Sequence, residues 1–139
     1  MNVITERIKT RSEDSCGISD ITGLVVDKLS KTGMKHGNVT IFVEGATGGV
    51  TTLEHEPGLL KDLPELFEKL IPSDKDYHHD KTWGDGNGFS HLRSALIGPS
   101  VSIPFIDGTL TLGTWQQIIV LNFDNRPRSR QVLLQFIGE

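Results

Sequence analysis

The sequence predicts one α+β domain, with a largely antiparallel sheet and helices packed on one side of it. Fifteen glycines among 139 residues indicate many tight turns, and therefore several strands. Short β-branched runs alternate apolar with polar residues, whereas two longer stretches repeat apolar residues at helical spacing. The expected order is a strand, a helix, two strands, two helices and four strands, in a single domain over residues 1–139.

The N-terminal part of the chain contains the first of these elements. Residues 2–10 are predicted as a strand. Ser19 or Asp20 offers an N-cap for a helix, and the apolar residues that follow repeat at helical spacing until Gly33, which suits the left-handed position after a helix. The β-branched run over residues 37–45 is predicted as the next strand.

Residues 48–56 are predicted as the strand that pairs with residues 37–45, with glycines at the turn between them. Glu54 and Glu56 would then share one face of the sheet, either as a carboxylate pair or simply because that face is exposed to solvent. The turn over residues 45–49 is interpreted as a plain hairpin turn or as a cradle of backbone N–H groups for a phosphate.

A leucine-rich helix is predicted over residues 57–72, where Pro64 starts a fresh turn or kinks the segment. The apolar stripe along this helix is typical of residues that pack in a hydrophobic core. The connection that follows, over residues 72–86, is close to the length at which structureless loops become uncommon and are often functional. A short helix over residues 87–98 comes next.

Two hairpins are predicted in the C-terminal part. Asp107 and Gly108 are the pair preferred in type I′ turns, and apolar-alternating runs flank them. The second hairpin is expected around residues 125–128. The basic cluster of Arg126, Arg128 and Arg130 is interpreted as a hairpin tip or as an anion site. Thr114 and Gln116 lie beside a tryptophan and are candidates for lining a pocket.

The composition excludes several classes of function. A formal net charge of −4 argues against non-specific nucleic-acid binding, which needs clustered Lys and Arg. Cys16 is the only cysteine and has acidic neighbours, so it is expected to be structural, with neither a disulfide nor a reactive thiolate, in a protein of the cytoplasm. The sequence has no apolar run that suggests a membrane span.

The densest group of chemistry-bearing residues lies in and after the long loop. His78, His79 and His91 are three of the five histidines, and Asp85 and Asn87 alternate with glycines between them. Imidazole and carboxylate groups are common ligands of divalent metals, and two His with an Asp would suit an open catalytic site. The alternative is that these residues are an exposed histidine, a loop cap and turn formers, since the spacing matches no established metal motif.

Two stretches of the chain resemble a known protein family. The string "GNVTIFVEGATGGVTTLEHEPGLLKDL" is similar to the middle block of the YjbQ-like family, and "GNGFSHLRSALIGPSVSIPFIDGTLTLGTWQQIIVLNFDNRPRSRQVLLQFIGE" is similar to its C-terminal signature. The resemblance extends over about residues 20–139. It implies an α+β fold in a compact homotrimer, and a polar pocket that holds a divalent metal such as zinc or magnesium.

The family resemblance also implies functional residues. Some members are described as having a weak, secondary thiamine-phosphate-synthase activity, which joins two small molecules and releases pyrophosphate. The polar motif positions of the family correspond here to Thr47, Glu54, Asp62, His79, Asp85, Asn87, His91, Thr114, Gln116 and Arg128. Of these, the resemblance implies catalytic roles for Glu54, Asp85, Asn87 and Gln116, substrate or phosphate contacts for Thr47, Thr114 and Arg128, and metal binding by His79 and His91.

One position departs from the family pattern. Many members carry a histidine shortly before the threonine of the middle block, where this chain has Gly45 and Ala46. Two hypotheses follow. The chain is a metal-assisted enzyme that acts on phosphorylated small molecules, or it is a non-catalytic trimer that binds a small anionic metabolite.

Overall fold

The computed structural model describes all 139 residues and contains eight strands and four helices. The strands are β1 (Asn2–Ser12), β2 (Gly17–Asp20), β3 (Gly37–Val43), β4 (Gly48–Leu53), β5 (Ser100–Ile106), β6 (Thr109–Leu110), β7 (Gln117–Asn122) and β8 (Arg128–Gly138). The helices are α1 (Thr22–Thr32), α2 (Pro57–Leu70), α3 (Asp80–Trp83) and α4 (Gly88–Ile97). The α+β class is confirmed, and β2 and α3 are additions to the predicted order.

The strands form two antiparallel sheets rather than one. The larger sheet has the order β1-β8-β3-β5-β6, and the smaller has the order β2-β7-β4. β7 lies at the centre of the smaller sheet, and its alternate residues enter two different cores. Ile118 and Val120 join the core against the larger sheet and α1, whereas Ile119 and Leu121 pack with Phe67 of α2.

Two predicted strand pairings are wrong. β4 pairs with β7 and not with β3, which lies between β5 and β8. β7 and β8 likewise form no hairpin, because they belong to different sheets. The sequence signal for the separation of β7 from β8 was the unbroken apolar run of β7. A strand buried on both faces does not alternate apolar and polar residues as a hairpin strand does. In both places, a short turn carries the chain from one sheet to the other.

The predicted face shared by Glu54 and Glu56 is also wrong, because β4 ends at Leu53. Glu56 instead caps α2. Its carboxylate accepts hydrogen bonds from the backbone N–H groups of Gly58 at 2.8 Å and Leu59 at 2.5 Å. It satisfies two N–H groups that have no partner inside the helix.

α2 runs as one helix from Pro57 to Leu70, with Pro64 inside it. Its apolar stripe is not wholly core as expected: only Phe67 is buried, while Leu66 and Leu70 remain 48% and 58% exposed. No helix of the chain has the length and apolar character needed to cross a membrane. The homotrimer implied by the family resemblance stays a prediction.

Asp107 and Gly108 form the predicted turn between β5 and β6, with positive φ angles of 51° and 75°. Gly33 ends α1 in the left-handed region, also as predicted. Cys16 is buried in the apolar cluster that contains Phe67 and Ile119, and burial raises the pKa of its thiol to about 11. The buried thiol is therefore held in its protonated form, as expected for a cysteine that is not a nucleophile.

The buried side chain of Arg93 joins α4 to the end of α2. Its Nε and Nη2 atoms donate to the carbonyl oxygen of Ile71 at 3.0 and 2.7 Å, and Nη2 also donates to Glu68 at 2.7 Å. The guanidinium lies 4.9 Å from the ring centroid of Phe89. The hydrogen bond from Arg93 lowers the pKa of Glu68. These contacts hold α4 in place beneath the polar loop that precedes it.

We expect Arg93→Ala to lower the free energy of unfolding by about 2–4 kcal/mol, because it removes a buried side chain and leaves the Ile71 carbonyl without its donor. Urea denaturation followed by circular dichroism measures the change. The matched control is Arg126→Ala, since Arg126 is exposed. A loss in Arg93→Ala no larger than in the control would contradict the structural role of this arginine.

Candidate functional site

A polar cavity of about 530 Å³ lies where the two crossovers between the sheets meet the loop before α4. We call it the arginine cavity because Arg128 and Arg130 form one of its walls. Six residues predicted from the sequence line it: Thr47, His79, Asp85, Asn87, His91 and Arg128. The turn over residues 45–49 also contributes to the wall, so it is not a plain hairpin turn.

The remaining predicted residues lie elsewhere in the chain. Glu54, Thr114 and Gln116 line a separate cavity of about 430 Å³, which has no residue in common with the arginine cavity. Gln116 donates to the hydroxyl of Thr52 at 3.2 Å. Asp62 lies on α2 beside an apolar groove. The residues implied by the family resemblance therefore form two groups within one chain, and only the first has the histidines.

The buried carboxylate of Asp124 organises the arginine cavity. One oxygen accepts from the Thr47 hydroxyl at 3.1 Å and from Nε of Arg128 at 2.8 Å. The other accepts from the Asn87 side chain at 3.4 Å and from the backbone N–H of Asn125 at 2.8 Å. Asp124 is fully buried. It therefore connects the turn before β4, the start of α4 and the start of β8 at one point.

The hydrogen bonds of Asp124 outweigh the cost of its burial. Burial acts to raise the pKa of the carboxyl, but hydrogen bonds from Arg128, Asn87 and the Asn125 backbone lower it more, and the pKa lies below its ordinary value. The side chain is therefore an anion at neutral pH. Its charge is matched by Arg128, which lies 2.8 Å away.

Arg130 is a buried cation with no carboxylate as an ion-pair partner. It is 6% exposed, and its Nη2 donates only to neutral oxygens, those of Asn122 at 2.6 Å and Thr47 at 2.8 Å. Its Nε is buried without any partner, and it takes part in no ion pair. Burial lowers the pKa of the guanidinium, although Asp124 acts in the opposite direction. An unpaired buried charge is costly, so this arrangement is unusual unless an anion completes it.

Two glycines allow the backbone to approach Arg130. A Cβ atom at Gly45 would lie 2.9 Å from Nη1 of Arg130, and one at Gly48 would lie 2.9 Å from Nε. Gly45 also has a φ of +125°, which side chains rarely adopt. A side chain at Gly45 would therefore crowd the guanidinium of Arg130 and would require a backbone conformation that side chains rarely adopt.

His79 and His91 lie against each other at the opposite wall. Their ring centroids are 4.3 Å apart, and the rings are tilted by 51°. His91 lies near the start of α4, and His79 immediately precedes α3. Nε2 of His79 is buried without a partner. Neither imidazole forms a hydrogen bond within the chain, so both rings are held by packing alone.

Asp80 holds the loop that carries His79. Its carboxylate accepts from the backbone N–H groups of Gly88 at 2.9 Å and Tyr77 at 3.1 Å. These two hydrogen bonds lower the pKa of Asp80. Asp80 thus connects the loop to the start of α4. The side chain of His78, in the same loop, is exposed.

The two imidazoles are an incomplete donor set for a metal ion. Catalytic zinc sites take three protein ligands. No three His, Cys, Asp or Glu side chains of the chain come close enough together to hold a metal. Zinc or magnesium, as implied by the family resemblance, would therefore have only His79 and His91 as neighbouring ligands within one chain.

Unsatisfied polar atoms concentrate at this cavity. The buried side-chain nitrogen and oxygen atoms without a hydrogen-bond partner are Nε2 of His79, Oδ1 of Asn87 and Nε of Arg130. All three residues line the arginine cavity. Because buried polar groups are nearly always paired in folded proteins, their coincidence at one place points to a polar ligand.

Asp124 and Asn122 were missed by sequence reasoning, whereas Arg130 belonged to the arginine cluster that was interpreted as a hairpin tip or as an anion site. The available signal was the change from the apolar run of β7 to a run of Asn, Asp and Arg. Polar residues directly after a fully buried strand are typical of a site at the end of that strand. The alternating arginines at 128 and 130 also placed two cations on one face of β8.

Comparisons with known proteins agree with this architecture. The family model described as UPF0047 protein YjbQ-like matches residues 6–139. The chain belongs to the YjbQ-like family. A UPF0047 protein of Methanothermobacter thermautotrophicus is 33% identical over 139 residues, which are 100% of this chain and 95% of that protein. One from Archaeoglobus fulgidus is 42% identical over 101 residues, covering 73% and 78% of the two chains.

Solved structures of YjbQ-like and related proteins share the fold. A crystal structure from Sulfolobus solfataricus, described as a YbjQ-like protein of unknown function, superposes with a TM-score of 0.94 at 28% identity and covers 99% of each chain. A hypothetical protein from Aeropyrum pernix has a TM-score of 0.92 at 33% identity and covers 98% of this chain and 99% of its own. Neither description assigns an activity.

The lowered pKa of Asp124 predicts a pH dependence of stability. Because its pKa in the folded state lies below its ordinary value, the ionised carboxylate stabilises the fold above that value, and the contribution is lost as the pH falls through the folded-state pKa. We expect the free energy of unfolding to fall between about pH 5 and about pH 2 more steeply in the wild type than in Asp124→Asn.

Urea denaturation at stepped pH measures both slopes. Asp85→Asn is the matched control, because Asp85 lines the same cavity but is exposed and its carboxylate has no partner within the chain. Its slope should follow that of the wild type. Equal slopes in the wild type and Asp124→Asn would show that the buried network contributes nothing to the acid sensitivity.

Proposed function

We propose that the arginine cavity binds the phosphate group of a phosphorylated small molecule, and that His79 and His91 exchange protons with the bound ligand. The observation that carries the proposal is the guanidinium of Arg130, which is buried without an ion pair at the wall of a cavity. An anion in the cavity supplies the missing negative charge. A phosphate suits this role because its oxygens match the planar donors of arginine.

Donors for such an anion are present and free. Nη1 of Arg130 and both Nη atoms of Arg128 donate no hydrogen bond within the chain. Asp124 binds Nε of Arg128, and this leaves the outer edge of the guanidinium available. Hydrogen bonds between a guanidinium and a phosphate are about twice as strong as bonds between neutral groups. The ligand would thus be held mainly by these two arginines.

The histidine pair supports a catalytic version of the proposal. A neutral imidazole accepts a proton from a nucleophile, and a protonated one donates to a leaving oxygen, so two adjacent imidazoles supply both roles in transfer or hydrolysis. A transfer like that of thiamine-phosphate synthase also requires a place for a second substrate. Glu54, Thr114 and Gln116, which the family resemblance implies for it, line another cavity. The geometry within one chain therefore supports the binding of one phosphorylated substrate better than it supports the complete two-substrate reaction.

Binding without catalysis is the second candidate, and one observation favours it. A catalytic base is ordinarily oriented by a third group, often a carboxylate that accepts from its other ring nitrogen. Neither His79 nor His91 has such a partner. The ligand itself would then be the only group that orients the two rings.

Arg130→Met tests the proposal directly, since methionine keeps an extended apolar side chain and removes the charge. We expect the dissociation constant for inorganic phosphate and pyrophosphate to rise by at least about tenfold, because a charge-assisted hydrogen bond contributes about 1.5–3 kcal/mol. Calorimetric titration at fixed ionic strength measures it. The stability of the ligand-free protein should be unchanged or increased, since an unpaired buried charge is removed.

Arg126→Met serves as the control, because it removes the same charge from the same segment at an exposed position outside the cavity. Its affinity for phosphate should stay within about twofold of the wild type, since only a screened surface charge is lost. Equal affinity in Arg130→Met and Arg126→Met would rule out the buried guanidinium as the anion site.

The double variant His79→Ala/His91→Ala separates metal, binding and catalysis. The incomplete donor set predicts no stoichiometric metal in the untagged wild type by elemental analysis, and phosphate binding that survives a chelator. The double variant should still bind phosphate through the arginines but turn over no phosphoester. Stoichiometric metal in the wild type that is lost from the variant would instead establish a metal-assisted site. Absence of turnover in both proteins, with binding intact, would select the non-catalytic candidate.

A further inference from the structure

A second cavity lies on the other side of the histidine pair. It has a volume of about 330 Å³ and is lined by Tyr77, His78, His79, Gly88, His91 and Leu92. We call it the leucine cavity. His79 and His91 are the only residues that line both this cavity and the arginine cavity. The two imidazoles are thus the boundary between a polar and an apolar compartment.

Little of the surface of the leucine cavity is polar, although the imidazoles of His78, His79 and His91 line it. The Tyr77 hydroxyl donates to the carbonyl of Pro72 at 2.6 Å, so it is already paired. The backbone N–H groups of Tyr77 and Gly88 both donate to Asp80. The surface that remains is nearly all carbon. Such a surface binds apolar groups and gives no favourable contacts to charged ones.

Leu92 is exposed although it is large and apolar. It follows His91 on α4, and 49% of its surface is accessible to solvent. A ligand group in the leucine cavity would remove part of this surface from water. The volume is close to the lower end of the range for small-molecule sites, which suits one group of a ligand better than a polypeptide segment.

We propose that the leucine cavity binds the uncharged, apolar group of the same ligand whose phosphate lies in the arginine cavity. This inference rests on the proposed function. A ligand that occupies both cavities must pass beside His79 and His91, because only these residues border both. The oxygen that joins the phosphate to the apolar group would then lie next to the imidazoles. The preferred ligand class is therefore a phosphomonoester of an apolar alcohol, and not a free sugar phosphate or inorganic phosphate.

A series of alkyl phosphates tests the inference, because the charged group stays the same while the apolar group grows. Each buried methylene should tighten binding about fourfold. We expect butyl phosphate to bind at least about tenfold more tightly than methyl phosphate, since three further methylenes enter the cavity in part or in full. NMR titration of ¹⁵N-labelled protein at fixed pH and ionic strength measures both dissociation constants.

Leu92→Asn is the test variant, and Leu96→Asn is its matched control. Both leucines lie on the exposed side of α4, at 49% and 60% exposure, but Leu96 lines neither cavity. In Leu92→Asn the affinity for methyl phosphate should be unchanged, while the preference for butyl phosphate should fall to within about threefold, because less apolar surface is buried. Leu96→Asn should keep the full preference.

The outcomes separate this inference from the proposed function. If the wild type binds methyl and butyl phosphate equally well, the leucine cavity is not a ligand site, and the phosphate site stands. If the preference for butyl phosphate persists in Leu92→Asn, the apolar group binds elsewhere, and the inference is overturned. If neither phosphate binds at millimolar concentration, the proposed function fails first and the inference fails with it.

Discussion

The buried carboxylate of Asp124 is the interaction on which the site depends. It lies just after the central strand of the smaller sheet and binds groups from three other parts of the chain. A carboxylate can remain charged at zero exposure only when several donors surround it, as Thr47, Asn87 and Arg128 do here. The network therefore fixes the positions of these residues, and with them the shape of the arginine cavity.

The same network leaves one charge uncompensated. Arg128 matches Asp124, whereas Arg130 has only the neutral oxygens of Thr47 and Asn122. Such an arrangement costs stability in the free protein, because a buried cation loses its hydration and the nearby carboxylate of Asp124 is already paired with Arg128. Proteins accept such costs at binding sites, where the ligand restores the balance. Gly45 and Gly48 leave room for the guanidinium of Arg130 beside the backbone.

The histidine pair differs from the arginine wall in how it is held. No hydrogen bond orients either ring, so their positions depend on packing and on the loop that Asp80 ties to α4. That loop is in turn supported by the buried Arg93, which fixes α4 against α2. A hydrogen-bonded polar wall thus faces a pair of rings whose nitrogens have no partners within the chain. This division suits recognition of the phosphate by the arginines and adjustment at the histidines.

The sequence by itself determined the fold class, most of the helices and strands, and six of the residues around the cavity. Local signals were sufficient for these: the turn at Asp107 and Gly108, the helix end at Gly33, and the histidines gathered in one loop. Apart from the β5–β6 hairpin, only the tertiary structure decided which strands pair. It also decided that Asp124 and Arg130 meet Thr47, and that Glu54 lies apart from the histidines. Burial and pairing of charges arise from contacts between residues distant in sequence, and period and propensity carry no information on those contacts.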